Sequence, residues 1–216
     1  MDRLGQRLKD VRVHAGLTLR ELARQAEVSP SLISQIENGK SQPSVATLYA
    51  FSRVLNVSVD ELFDEPGSDL AGPPALTTGR DNGAEPNGHM DPVHAWQPSE
   101  YANRVSVAHP SHRPHLTMAE GVVWERLAAT PEKGVNFMKI AYAPGAMSSV
   151  EGDLITHDGY EYGYVLSGEV EVTVGDEVFL LHEGESLGFD SSIPHVLRNP
   201  GDTIFEGVWF VHGQRH

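Results

Sequence analysis

The chain contains no cysteine. That excludes disulfides and thiolate metal sites, so any metal chemistry falls to nitrogen and oxygen ligands. It also lacks an apolar run approaching the roughly 18 residues that span a bilayer. Its first ten residues, MDRLGQRLKD, are charged and carry no leader-like apolar stretch. Basic residues are scarce: 16 Lys and Arg stand against 30 Asp and Glu, for a net charge of -14. With a mean hydropathy of -0.30, these absences set the expectation of a soluble, cytoplasmic protein without membrane contact. At 216 residues the chain has room for two domains.

The deficit of basic residues is uneven. Residues 1–55 hold eight (Arg3, Arg7, Lys9, Arg12, Arg20, Arg24, Lys40 and Arg53) against five acids, a net of +3 that leaves -17 on the remainder. An acidic surface repels phosphate, so a nucleic-acid partner is expected only at the N-terminal end.

That end reads as short helices. Leu4, Leu8 and Val11 recur at helical spacing, and Thr18 with Glu21 forms a capping box ahead of Leu22, Ala23 and Ala26. Ser29 caps a third helix with Pro30 at its first position, and Asn38-Gly39 ends it. Ser44 opens a fourth helix carrying Val45, Leu48, Phe51 and Leu55; Ser58 and Glu61 form a capping box for a fifth. Residues 66–99 then contain six Pro and five Gly in 34 residues without a sustained period, which predicts a flexible linker. Beyond about residue 101 the pattern is of strands. Val170, Val172 and Val174 alternate with polar residues, Gly175-Asp176 makes a tight turn, and further short strands follow with Gly-rich turns. Trp124, Phe137, Phe189 and Trp209 are expected in the core of a closed antiparallel barrel or jelly roll.

The segment TLRELARQAEVSPSLISQIENGK has the layout of two helices joined by a short turn. With Leu22-Ala23, Val28-Ser29, Ile33-Ser34-Gln35-Ile36 and Glu37-Asn38-Gly39, it resembles the XRE-type, lambda-repressor-like DNA-binding domains of five helices. The resemblance implies that the third helix enters the major groove of double-stranded DNA, with Ser31, Ser34 and Gln35 facing base edges. Ser29 and the helix end it caps would hold phosphate, while Arg20, Asn38 and Lys40 sit where the family contacts the backbone. Arg12 and Glu37 match a structural salt bridge of that family. One such domain binds weakly, so a homodimer on a palindromic operator is expected, the barrel half supplying the pairing.

The segment ITHDGYEYGYVLSGE raises a second question, because it brings His157 and Glu161 within four residues of each other, ahead of Gly168. Together with Gly184, Pro194, His195 and Asn199, these residues resemble the two motifs of the cupin family. His157, Glu161 and His195 fall on ligand positions, whereas Ile155 replaces the family's first His. Two His and one carboxylate suit a divalent ion such as Fe, Zn, Mn or Ni. The other reading is a metal-free pocket in which His157, Glu161 and His195, closed by Arg113, bind a small-molecule effector directly.

The sequence therefore predicts two domains: an all-α helix-turn-helix reader over 1–65 and an all-β cupin jelly roll over 101–216, joined by a linker at 66–100. The leading functional expectation is a DNA-binding transcriptional regulator, not an enzyme, whose cupin senses an effector and dimerises. The alternative is a mononuclear non-heme iron enzyme, because the hydroxypropylphosphonate epoxidases join the same two modules and use the layout of His157, Glu161 and His195. A third reading is a constitutive DNA-binding scaffold whose barrel only dimerises.

Overall fold

The computed structural model describes residues 3–62, 107–110, 113–128, 134–149 and 152–213. The linker expected at 66–100 lies outside the described residues.

Four α-helices open the chain: α1 (Arg3–His14), α2 (Leu19–Gln25), α3 (Pro30–Glu37) and α4 (Val45–Leu55). Their starts are fixed by the expected caps. The Thr18 hydroxyl accepts from the Glu21 N–H at 3.2 Å, and the Glu21 carboxylate accepts from the Thr18 N–H at 2.8 Å. Ser29 and Ser44 accept from the amides of Leu32 and Thr47, each at 3.1 Å. Leu8, Leu22, Ala23, Ala26, Ile33, Ile36, Phe51 and Leu55 meet in one buried cluster. Each large apolar side chain so buried contributes about 1.5–3 kcal/mol. Among the described residues, the fifth helix is a single turn. Ser58 and Glu61 make their reciprocal bonds, yet only one 3-10 turn follows, Asp60–Leu62.

The C-terminal half is an antiparallel two-sheet jelly roll. Its strands are β1 (His115–Thr117), β2 (Val122–Arg126), β3 (Val135–Tyr142), β4 (Tyr160–Ser167), β5 (Glu169–Val174), β6 (Glu177–His182), β7 (Ser186–Asp190), β8 (His195–Arg198) and β9 (Phe205–His212). One sheet runs β1-β2-β3-β9-β4-β7 and the other β6-β5-β8. Val122, Trp124, Met138, Ile140, Val165, Val170, Val172, Phe189 and Trp209 fill the space between them. Phe137 departs from expectation: it is 39% exposed. Its neighbours Asn136 and Met138 face inward, and the period of two turns Phe137 out.

Two glycines shape the roll. Gly168 turns the chain from β4 to β5 at φ +74°, a conformation that costs glycine little. A Cβ on Gly163 would collide with the Trp209 ring, so only glycine lets that indole lie against β4.

The two halves share a core. Leu4, Val45, Leu48, Tyr49, Val59 and Leu62 belong to the same buried cluster as Leu116, Met118 and Trp124 of the barrel. Among the described residues, backbone bonds join the domains at two points: the Ala46 N–H donates to the Ser148 carbonyl at 3.0 Å, and the Ala119 N–H donates to the Pro43 carbonyl at 2.9 Å.

Candidate functional site

Glu161 lies on β4, and the alternation that buries Val165 also turns its carboxylate into the barrel, where the residue is 4% exposed. His195 opens β8 and is 1% exposed. His157 is not on a strand. It precedes β4 in an irregular segment between the isolated bridge of Ile155 to His195 and the bend at Asp158-Gly159. The three residues nevertheless converge, each offering a ligand atom within 4.8 Å of the others.

The hydrogen bonds behind them fix what those atoms are. The His157 Nδ1 lies 3.2 Å from the Asp158 carbonyl, and the His195 Nδ1 lies 2.8 Å from the Ile193 carbonyl. A carbonyl only accepts, so each Nδ1 carries a proton and donates it. In the neutral rings, each Nε2 then presents a lone pair to the interior. Those atoms stand 2.8 Å (His157) and 3.3 Å (His195) from Glu161 Oε1. The other carboxylate oxygen, Oε2, accepts from the Trp209 indole N–H at 2.6 Å. Despite the short separation, His157 Nε2 and Glu161 Oε1 make no properly directed hydrogen bond and count as buried atoms without a partner. Lone pairs aimed at one another repel unless a proton or a cation lies between them. The donor set, with a hydrogen-bonded second layer behind every ligand, fits a divalent ion of the two-His, one-carboxylate kind.

Without an ion, the electrostatics favour a proton between imidazole and carboxylate. Burial opposes charge on Glu161 most strongly, but the two imidazoles outweigh it and hold the carboxyl below its usual range. Burial likewise opposes the charged form of His195, and Glu161 outweighs it to raise that pKa. Burial, followed by the nearby Glu161 charge, pushes the Tyr142 hydroxyl up, leaving a neutral phenol beside the site.

Other sequence-selected residues have different settings. Asn199 ties the loop after β8 to the barrel: its amide donates to the carbonyls of Tyr142 and Thr203, at 2.9 and 2.8 Å. Arg113 pairs instead with Glu125 at 3.2 Å, a residue between the inward-facing Trp124 and Arg126. Trp209 and Tyr49, which touch the triad, were missed. The inward alternation of Phe205, Gly207, Trp209 and Val211 is the signal that selects the former. Tyr49 falls on a second apolar side of α4, away from Phe51 and Leu55, and only the packed structure reveals its neighbour.

In the helical domain, Arg20, Ser29, Ser31, Gln35, Asn38 and Lys40 are exposed and Ser34 is half-buried. Ser31, Ser34 and Gln35 lie on α3, opposite the buried Ile33 and Ile36. The Asn38 amide donates to the Ser34 carbonyl at 2.6 Å and so closes the end of α3. Arg12 grips Glu37 with two bonds, of 2.6 and 2.9 Å, and donates to the Leu17 carbonyl at 2.8 Å, locking α1 to α3.

Comparison with known proteins follows the same division. A helix-turn-helix family model (HTH_3) matches residues 8–62, and a cupin domain model (Cupin_2) matches residues 138–211. The HTH-type transcriptional regulator PuuR of Escherichia coli (strain K12) is 27% identical over 198 residues, covering 90% of this chain and 86% of PuuR. The HTH-type transcriptional regulator SutR of the same organism is 28% identical over 220 residues, covering 98% and 96%. Among solved structures, an HTH_3 family transcriptional regulator from Vibrio cholerae shares the fold, with a TM-score of 0.59 at 19% identity, over 99% of this chain and 97% of that one.

Proposed function

The chain belongs to the helix-turn-helix transcriptional regulators that carry a cupin domain, and we propose that its cupin is a metal-dependent sensor that pairs two copies on DNA. The observation that carries the sensor reading is the convergence of His157 Nε2, Glu161 Oε1 and His195 Nε2, each backed by a hydrogen bond at its other ligand atom. A divalent ion held there would act as a Lewis acid toward an oxygen- or nitrogen-bearing effector. The chain's own contribution is to fix the tautomers through Asp158 and Ile193, to orient the carboxylate through Trp209, and to keep bulk water from the three ligands. To act as a signal, the effector must favour one arrangement of the two readers over the other; tight binding alone shifts nothing.

In the DNA reading, Ser31, Ser34 and Gln35 face base edges, while Arg20, Ser29, Asn38 and Lys40 engage the backbone. Exposure of Ser31 and Gln35 opposite a fully buried apolar face supports that placement. A row of aromatic residues supports pairing. Phe137, Phe210 and Tyr162 are register partners on β3, β9 and β4, all turned away from the core, with Tyr162 51% exposed. Contiguous exposed apolar surface of this kind marks association sites.

Two measurements on the purified protein test the proposal together: metal content, and selection of bound duplex from a random pool. A palindrome recovered by a protein holding about one ion per chain supports it. Iron with oxygen-dependent turnover of a substrate, and no enriched duplex, replaces it with the enzyme reading. A metal-free protein with an enriched palindrome leaves the direct effector pocket.

A further inference from the structure

We propose that Tyr49 makes the DNA-binding domain part of the metal centre, so that ion binding and DNA binding change each other's affinity. The inference rests on the sensor reading above. Tyr49 belongs to α4, outside the barrel, yet its ring stacks on the His157 imidazole with centroids 4.1 Å apart and planes within 6°. The same ring meets Trp124 edge-on at 6.1 Å. Both Tyr49 and the His157 side chain are 9% exposed, so each covers the other.

The two histidines are held differently. His195 starts a strand, donates to a carbonyl at 2.8 Å and has Phe189 against its ring at 4.9 Å, all within its own domain. His157 sits in an irregular segment with one backbone bond, its N–H to the Ser191 carbonyl at 3.1 Å, where both backbone groups of His195 pair with Ile155; its ring's carbonyl partner is the adjacent residue at 3.2 Å, and the flat surface beside it is Tyr49. The ligand with less backbone support therefore leans on the other domain. Around that contact the N-terminus of α4 is bonded to Ser148, whose hydroxyl accepts from the Leu197 N–H at 3.1 Å, two residues beyond His195. Elsewhere on α4, Phe51 and Leu55 pack in one cluster with Leu22, Ala23 and Ile33 of α2 and α3. One helix width separates the imidazole from the packing that sets the recognition helix.

An ion that fixes His157 Nε2 between Glu161 and His195 fixes the plane on which Tyr49 rests. It therefore favours one seating of the helical domain. If DNA favours either that seating or another, linkage requires DNA to alter ion affinity by the same factor by which the ion alters DNA affinity.

The test uses the full chain, Co2+ as a spectroscopic probe, and a duplex recovered by selection. For the unaltered protein, saturating duplex changes the Co2+ dissociation constant by about fivefold or more, the lower end of measured couplings. Tyr49→Leu keeps apolar volume but removes the ring, and the change shrinks below about twofold. Tyr49→Phe restores it. Equal Co2+ affinity with and without duplex in the unaltered protein overturns the proposal, as does full coupling in Tyr49→Leu. Failure of Co2+ to bind in the absence of DNA is a separate result, which removes the sensor reading and this proposal with it. Should Tyr49→Leu not fold, hydrogen exchange on the unaltered chain decides. Amides of residues 44–49 and Ala119 change protection when Co2+ is added; unchanged exchange across both overturns the coupling.

Discussion

The Trp209 indole donates to Glu161 Oε2 at 2.6 Å, across the ladder from β9 to β4. The contact is possible because the residue facing Trp209 is Gly163, whose missing side chain leaves room for the indole. One glycine, one tryptophan and one glutamate thus set the direction of the remaining oxygen, Oε1, toward the two imidazoles. Trp209→Phe keeps the ring and removes the donor. Loss of such second-layer bonds lowers metal affinity about 10–100-fold. The expected outcome is a folded variant with Zn2+ affinity reduced by that factor in calorimetric titration, whereas Glu161→Gln loses binding altogether. Unchanged affinity in Trp209→Phe would show that the indole bond orients nothing.

The same cluster predicts opposite pH responses with and without metal. Glu161 has a lowered pKa, so its contribution to stability is present above the ordinary carboxyl value of about 4.3 and is lost as pH falls through the folded value. His195 has a raised pKa, so its contribution is complete below about 6.5 and is lost as pH rises through the folded value. Metal-free protein should therefore lose this increment of stability as pH rises above about 6.5 and through the folded His195 value, whereas Zn2+-loaded protein gains over the same range, because protons compete with the ion for Nε2. Melting curves in EDTA and in Zn2+ over a rising pH series, each compared with Glu161→Gln, check it. A metal-free difference that grows as pH rises contradicts the assignment.

On the proposed DNA side, Gln35 and Lys40 are expected to separate specificity from affinity. Gln35→Ala removes a side chain able to bridge two atoms of an adenine, and should relax discrimination at one operator position by about 1–3 kcal/mol. Lys40→Ala should weaken binding to all sequences alike and reduce the salt slope by about one ion's worth. Binding measured against single-base operator variants at two salt concentrations distinguishes them. If Gln35→Ala leaves every base preference intact, α3 does not lie in the groove as proposed.

Arg12 and Glu37 offer a stability prediction that leaves the surface of the reader untouched. Their bidentate contact is largely buried, with side-chain exposures of 11% and 5%. Glu37 raises the pKa of Arg12 through their hydrogen bond, against the opposing effect of burial. Arg12→Met leaves Glu37 facing the interior without its partner, and Leu17 loses the donor to its carbonyl. A loss of about 1–3 kcal/mol in urea unfolding is expected. The double variant Arg12→Met with Glu37→Met should recover part of it, because no charge is left stranded.

Much of this architecture is legible in the sequence because it is locally determined. Thr18 with Glu21, Ser29 and Ser44 announce helix starts through bonds to residues three positions away. The inward sides of β4 and β5 follow from alternation. Even the triad is visible, since Glu161 and His195 fall on motif positions. What stays hidden depends on distant packing. Nothing near Trp209 in the chain indicates Glu161, and nothing near Tyr49 indicates His157. Phe137 misleads for the converse reason: an aromatic in a strand suggests core, but strand phase decides, and the phase of β3 is set by Asn136 and Met138. The fifth helix shows only a 3-10 turn among the described residues although its capping box forms, because a cap marks a start and carries no information on length.

The aromatic row on the outer sheet is the face proposed to pair two copies of the chain. Phe137 and Phe210 are paired across β3 and β9, and Phe210 and Tyr162 across β9 and β4, so the row crosses three strands at one level of the sheet. Phe137 and Phe210 meet edge-on at 6.3 Å, while Tyr162 stacks on His212 at 5.9 Å, leaving a preformed surface with little side-chain entropy to lose on contact. A two-fold pair built on this face would be self-complementary, each row covering its counterpart. Tyr162→Arg places a charge at its centre. Because Tyr162 is 51% exposed, the change costs the fold of the single chain little, but a buried interface would have to desolvate the new cation without a partner. The expected result by sedimentation velocity is a dimer for the unaltered chain and a monomer for Tyr162→Arg, with melting temperature nearly unchanged. Operator binding should fall as well, because two half-sites are then filled by independent chains. A Tyr162→Arg protein that still sediments as a dimer and binds its operator normally assigns the pairing to another face.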